Sequence, residues 1–431
     1  MKTRIYNAKI LDINETSVDI TDGEIQITDD KITYVGEGQE GTFDKEINAE
    51  GNLIMPGFKN AHTHSAMTLF RSFADDLPLK SWLYDKIFPL EANLTEDFVY
   101  WGSRLAILEY LTSGMTANFD MYMKNDANVK ASVDSGFRTV LCGSINNFGG
   151  TVDDMEAEYK KYNKEYNPDL SDLISYKYGF HAEYTTGREI LEGMAGLAAK
   201  YKAPVYTHNS ETKNEVQECI GRYNMTPTTF LDSIGMFEYG GGGYHCVYMT
   251  DEDIRICKEK KVHIVTNPGS NTKLASGIAD ICKYMDNGIN IAIGTDGPAS
   301  NNCLDMFREM FLVTGFQKIK LEDASACDAI DVLKMATING AKAMELFDCE
   351  TLKAGSKADL IMIDLHSPNM QPLNNIAKNI VYSGSKSNVL MTMVNGKILY
   401  NKGEFFVGAS TEEIYAKVNE AIKELAKKAS L

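Results

Sequence analysis

The chain has 431 residues, 44% apolar, 24% charged and 10% aromatic, a globular balance that excludes disorder, collagen-like repeats and coiled coil. Sixty acidic against 43 basic residues leave a net charge of −17, so the basic footprint that nucleic acid or an anionic membrane requires is missing. Eight cysteines form no C-x-x-C pair and no run of ~18 apolar residues occurs, so reduced thiols in a soluble cytoplasmic protein without a membrane span are expected.

Residues 1–56 read as short strands, beginning with polar–apolar alternation over residues 1–10 where a signal peptide would show an apolar core. Asp22-Gly23 and Asp29-Asp30-Lys31 carry turn chemistry, and residues 24–28 and 32–35 flank the second turn. From Leu53 the rhythm changes. Short apolar runs now end in polar clusters, with helical pattern between them. The strand ends fall at residues 61–64, 118–120, 141–144, 179–181, 206–208, 243–245, 265–267 and 294–296. Eight such steps predict an α/β fold, a (β/α)8 TIM barrel over residues 57–349, with its active face at the C-terminal strand ends.

Strand signals return at residues 359–364, 388–394 and 397–400, with Asn395-Gly396 as a hairpin turn. The early strands are too few for a sheet of their own. Residues 1–56 and 350–409 are therefore expected to combine in one small discontinuous β-sandwich domain. Ser410-x-x-Glu413 is a capping box that opens a terminal helix over residues 410–431. Its stripe of Ile414, Val418, Ala421, Ile422 and Leu425 is expected to pack on the barrel.

Five of the seven histidines, His62, His64, His181, His208 and His245, fall at barrel strand ends. His263 and His366 do not, and are read as structural. His62 and His64 stand at i and i+2, so both imidazoles point to one face. His208 is followed at i+3 by Glu211, and the last strand ends in Gly294-Thr-Asp296. Imidazole nitrogens with a carboxylate oxygen suit zinc or another borderline divalent metal, and three histidines plus one aspartate leave a position for water.

Pro56-Gly-Phe-Lys-Asn-Ala-His62-Thr-His64, Phe88-Pro-Leu-Glu91, Gly179-Phe-His181, His208-x-x-Glu211, His245-Cys246, Thr266-Asn-Pro-Gly-Ser-Asn271 and Gly294-Thr-Asp296-Gly-Pro-Ala-Ser-Asn-Asn302 span most of the chain. With these motifs the chain resembles the amidohydrolase superfamily and, within it, the 5'-methylthioadenosine/S-adenosylhomocysteine deaminase group. The resemblance implies that His62, His64, His208 and Asp296 hold one divalent metal, with zinc first and iron or manganese left open. It also implies that Asp296 takes a proton from the attacking water, that His245 orients that water and that Glu211 protonates a ring nitrogen. His181 would touch the base, and Glu91 would accept both ribose hydroxyls, so substrate contacts come from Glu91, His181, Glu211 and Asp296. Binuclear relatives carry a modified lysine near the fourth strand end. His181 stands there instead, with Lys177 four residues earlier, which favours one metal. Trp82 is read as packing and left outside the site.

The implied reaction is hydrolytic deamination of an adenosine derivative (5'-methylthioadenosine, 5'-deoxyadenosine, adenosine or S-adenosylhomocysteine) to the inosine derivative and ammonia. The partner is then a small nucleoside, and homo-oligomerisation is left open. Members that take S-adenosylhomocysteine hold its carboxylate with two arginines. Here Arg138 precedes the strand core and reads as structural, Gly143 falls in the first arginine's place, and the loop offers Asp153 and Asp154. A small neutral 5' group is therefore the expected preference. Amidohydrolases of guanine, pterin, cytosine or triazine type share the metal frame and form the alternative. A non-catalytic scaffold barrel would have lost ligands that are all present. His181-Ala-Glu183 matches the first half of the H-x-E…P-C-x-x-C deaminase signature, but the second half occurs nowhere.

Overall fold

A computed structural model of the chain describes residues 1–428. The N-terminal segment builds β1 (Lys2–Ile13), β2 (Val18–Thr28), β3 (Lys31–Gly36), β4 (Lys45–Asn48) and β5 (Leu53–Pro56). Asp22-Gly23 does not turn the chain, since both residues lie inside β2, opposite Lys9 and Ala8. The reversal comes at residues 14–17, where Asn14 Oδ1 accepts the backbone N–H groups of Thr16 and Ser17. Gly23 serves close approach instead: a Cβ there would sit 2.4 Å from the Gly36 carbonyl oxygen of β3.

Eight strands then follow: β6 (Phe58–Thr63), β7 (Met115–Met121), β8 (Arg138–Cys142), β9 (Ile174–Ala182), β10 (Val205–Asn209), β11 (Gly241–His245), β12 (Val262–Thr266) and β13 (Ile291–Ile293). They pair in parallel and in chain order. Each predicted strand end lies at, or within three residues of, the C-terminal end of one of them. Because both faces are covered, the strands are almost wholly buried, their polar positions included. The seam between first and last strands closes through Asp296 N–H to the His62 carbonyl at 3.0 Å. Beside it, the Asn60 amide exchanges hydrogen bonds of 2.7 and 2.9 Å with Thr295. That seam carries Asp296 to the first strand's histidines. Helices Val152–Lys161, Lys213–Tyr223 and Asp251–Lys260 each start at a Thr-x-x-Asp/Glu capping box, which ends the preceding strand-end loop cleanly.

After the barrel come β14 (Leu360–Ile363), β15 (Val389–Val394), β16 (Lys397–Asn401) and the short β17 (Glu404–Phe405), the last without a sequence signal. β5 lends one edge to β1 and the other to β14, so early and late strands join edge to edge as one continuous nine-stranded sheet. Asn395 and Gly396 both take positive φ, +51° and +74°, as a two-residue hairpin requires. Arg138 of β8 clamps Asp359, just before β14, through Nε–Oδ2 at 2.7 Å and Nη2–Oδ1 at 3.0 Å, tying sheet to barrel. The terminal helix Thr411–Lys428 buries Ile414, Val418, Ala421 and Leu425, and packs on barrel helix Glu96–Thr112. The last three residues of the predicted helix lie outside the described residues. Among the described residues, no helix is long and apolar enough to cross a membrane.

Candidate metal centre and active site

His62, His208, His245 and Asp296 bring one ligand atom each within 4.8 Å of one another. His64 reaches the same carboxylate from the side, its Nε2 3.2 Å from Asp296 Oδ1, against 3.5 Å for His62 Nε2. All four residues expected to hold a metal therefore meet. The tightest four-residue group, however, contains His245 where His64 was expected.

Carbonyl groups fix how these rings face. His64 Nδ1 donates to the Met121 carbonyl at 2.5 Å and His208 Nδ1 to the His181 carbonyl at 2.6 Å. A carbonyl can only accept, so each ring carries a proton on Nδ1 and turns Nε2 toward the cluster. His245 Nδ1 lies 2.8 Å from Asn271 Oδ1, which sets the third ring in the same way. His62 is different. It is fully buried and stacked on Tyr244 with ring centroids 3.7 Å apart, and neither ring nitrogen has a hydrogen-bond partner among the described residues. An orphaned buried polar atom costs about 1–3 kcal/mol, and an ion ligated by one of those nitrogens removes the cost. This mixed nitrogen and oxygen donor set, with one histidine unsatisfied, fits a divalent cation of the zinc type.

Burial favours the neutral ring at His62, His181 and His208, whereas at His64 burial is outweighed by contact with the Asp296 carboxylate, which raises that ring above its ordinary value. Burial pushes His62 and His181 down to about 3 and holds His208 well below the usual imidazole range. Burial alone would raise the Asp296 carboxyl, but contact with His62 and His64 holds it well below its ordinary value. The backbone is strained at the same place. Asp296, His245, Cys246 and Ser210 all have positive φ, +58°, +69°, +47° and +52°. Non-glycine residues hold such conformations, at about 1–3 kcal/mol each, only where surroundings over-determine them. Asp296 shows how: Oδ2 accepts Ser270 and Ser300 hydroxyls at 2.6 and 2.9 Å, and Oδ1 accepts the Gly297 N–H at 2.7 Å.

Glu211 sits in the link between β10 and helix Lys213–Tyr223 and is 5% exposed, so it is no solvated helix-start carboxylate. Ser276 Oγ donates to its Oε1 at 2.8 Å, and Oε2 lies 3.9 Å from His245 Nε2. Above the cluster opens a cavity of about 700 Å³, its polar wall including Glu91, His181, Glu211 and Ser300. His181 Nδ1 lies 2.9 Å from Thr185 Oγ1. Burial pushes the Glu91 carboxyl up to about 7. Trp82, left outside the site by the sequence reading, lines the cavity with Phe88. Ser270, Asn271, Ser276 and Ser300 were also missed as supports of Asp296, His245 and Glu211. Ser270, Asn271 and Ser300 fall inside the motifs over residues 266–271 and 294–302, which was the available signal, and Ser276 has none.

Other expectations place residues elsewhere. Lys177 turns away from the metal cluster to pair with Glu345. His263 meets Asn290 at 3.1 Å and His366 meets the Glu50 carbonyl at 2.9 Å, and neither belongs to the cluster. A side chain at Gly143 has no room, since its Cβ would lie 2.7 Å from the Gly179 carbonyl oxygen. Asp154 is taken up by the Thr151 cap, accepting its N–H at 2.9 Å and hydroxyl at 2.7 Å.

Comparison with known proteins gives the same architecture. A 5-methylthioadenosine/S-adenosylhomocysteine deaminase from Caldanaerobacter subterraneus subsp. tengcongensis is 39% identical over 99% of each chain. A 5'-deoxyadenosine deaminase from Methanothermobacter thermautotrophicus is 39% identical over 85% of this chain and 86% of its own. The crystal structure of a zinc-bound adenosine deaminase from Xanthomonas campestris superposes with a TM-score of 0.92, at 30% identity, over 99% of this chain and 98% of the other. The amidohydrolase family pattern matches residues 53–399, which takes in every barrel strand and each histidine and carboxylate described above. The chain belongs to the amidohydrolase family.

Proposed function

We propose that this chain is a metal-dependent aminohydrolase that converts an adenosine derivative, with 5'-methylthioadenosine, 5'-deoxyadenosine and adenosine foremost, to the inosine derivative and ammonia. The observation that carries this reading is the meeting of His62, His64, His208, His245 and Asp296 under a cavity that also holds Glu211. Similarity to three deaminases of adenine nucleosides points to the ring. A single zinc ion is the proposed occupant, held by His62, His208 and Asp296 with His64 or His245 completing the set. Such an ion supplies Lewis acidity and brings the pKa of water from 15.7 toward about 7.

The chain's own groups handle protons and position. Asp296 receives the proton of the attacking water, while His245, steadied by Asn271, orients that water toward C6 of the purine. Glu211, held by Ser276, delivers a proton to the neighbouring ring nitrogen as the C–O bond forms. A second proton transfer to the exocyclic nitrogen lets ammonia leave, so water and aminopurine are converted to oxopurine and ammonia. His181 orients the base, and the Glu91 carboxylate accepts the ribose hydroxyls. The alternative heterocycles give no nucleoside-sized task to Glu91, and a scaffold role gives none to Glu211. The test is to incubate metal-replete protein with these nucleosides and follow the ultraviolet change from adenine to hypoxanthine. Turnover of guanine or a triazine, with none of any adenosine derivative, would overturn the reading.

A further inference from the structure

Beyond Glu91 the catalytic cavity runs into a second, larger groove of about 1990 Å³, the two sharing Phe88, Glu91, Tyr122, Met123, Ser144 and Asn146. A substrate whose ribose meets Glu91 would point its 5' substituent in this direction. The groove has no arginine in its lining, and Gly143 leaves no room for one. Carboxylates line it instead: Glu91, Glu96, Asp126, Asp154 and Glu158, against Lys124 and Lys161. Three of these groups are already spent, Lys161 and Asp126 on each other at 2.6 Å and Asp154 on the Thr151 cap. Glu158, on helix Val152–Lys161, has no lysine, arginine or histidine within 4 Å among the described residues.

A second observation singles out the same spot. Asn125 is 5% exposed and lines the groove. Its Nδ2 donates to Glu158 Oε2 at 3.1 Å, which fixes the amide's orientation, and its Oδ1 is left with no donor at all among the described residues. A buried acceptor without a donor, next to a carboxylate without a cation, asks for a group rich in N–H, and an ammonium offers three. The walls suit the same charge. Phe88 and Phe148 stand 5.5 Å apart, Phe148 is 70% exposed at the mouth, and ring faces attract cations.

Resting on the deaminase reading above, we infer that this groove takes the 5' substituent of the substrate and selects cationic or neutral extensions over anionic ones, with Glu158 and Asn125 setting that preference. The favoured class is 5'-thioadenosines carrying an ammonium-terminated chain. A carboxylate-terminated chain of equal length meets acidic groups where it needs a guanidinium.

The experiment compares kcat/KM for four 5'-thioadenosines on the metal-replete enzyme, with S-methyl, S-butyl, S-(3-aminopropyl) and S-(2-carboxyethyl) substituents. The aminopropyl compound is expected to exceed the carboxyethyl compound by about tenfold or more, with butyl between them. Because the discrimination is ionic, it should shrink severalfold between low salt and ~1 M salt in the unmodified enzyme. Glu158→Gln should narrow the aminopropyl-to-carboxyethyl ratio severalfold, and an unchanged ratio in the folded variant would overturn the role given to Glu158. No turnover of the S-methyl compound would remove the deaminase reading itself. Normal turnover of that compound with the carboxyethyl analogue equal or better would overturn the groove assignment alone, as would a ratio indifferent to salt. Should Glu158→Gln not fold, the salt series decides.

Discussion

At the N-terminal end of the barrel, Arg138 and Asp359 are buried together and satisfy each other through two hydrogen bonds. Nearby, fully buried Lys59 donates to the Gly57 carbonyl at 3.1 Å and to Thr116 Oγ1 at 2.7 Å. At the C-terminal end Asp296 is also buried, yet burial favours neutral rings at His62 and His208 beside it, and neither ring nitrogen of His62 has a hydrogen-bond partner among the described residues. One end carries its cation on the chain, and the other is built to receive one. The first arrangement joins two sheets and needs nothing else. The second is strained and incomplete by itself, which is what a site for chemistry looks like when the same fold must also stay stable.

Removing the metal breaks this comparison most severely. Dialysis against a chelator should abolish turnover, and zinc added back should restore it, as read by ammonia release alongside elemental analysis. Full activity in metal-free protein would contradict the role given to the histidine cluster. Next in size, Glu211→Gln should lower kcat/KM by about 10²–10⁴-fold with metal content near that of the unmodified protein. Normal turnover would take the proton-carrying role from Glu211.

At the opposite end the effect should fall on stability alone. Arg138→Met strands a buried carboxylate and is expected to cost about 3–5 kcal/mol, seen as a lower urea midpoint, with kcat/KM of the folded protein unchanged. Replacing Asp359 by Leu in the same protein should recover most of the loss. The Arg138 guanidinium holds the Asp359 carboxyl, against its burial, below the ordinary 3.8. The stability from that depression is complete above the ordinary value and fades as pH falls through the folded one.

The smallest effect concerns Glu91. Burial pushes its carboxyl up to about 7, and protonation removes acceptor capacity for the ribose hydroxyls. KM for nucleosides should therefore rise as pH falls below about 7, and Glu91→Gln should flatten that limb while raising KM about tenfold. A pH profile unchanged by the substitution would place the ionisation elsewhere.

Much of the barrel was legible because its strand ends are marked by polar clusters, and four of those ends carry the five histidines His62, His64, His181, His208 and His245. The reading went astray where local chemistry is ambiguous. Asp22-Gly23 has turn composition but lies in mid-strand, because Gly23 is required by the close approach of β3. β17 is two residues long, too short to show a period. In the site, Trp82 read as packing since an aromatic residue looks the same in a core and on a cavity wall. Ser270, Ser276 and Ser300 are common residue types whose value comes only from partners that are distant or four residues away.

The order of strands, the histidines and aspartate that are candidates for a metal, and Gly143 in the place of an arginine follow from the chain as written, since each rests on residue type and spacing. Tertiary structure alone decided that β5 is the strand through which early and late strands join, and that His245 Nε2 comes within 4.0 Å of Asp296 Oδ2. It alone decided that Glu158 and Asn125 face the groove beyond Glu91. Those facts depend on segments far apart in the chain meeting at a given distance and angle, and no local pattern encodes a distance.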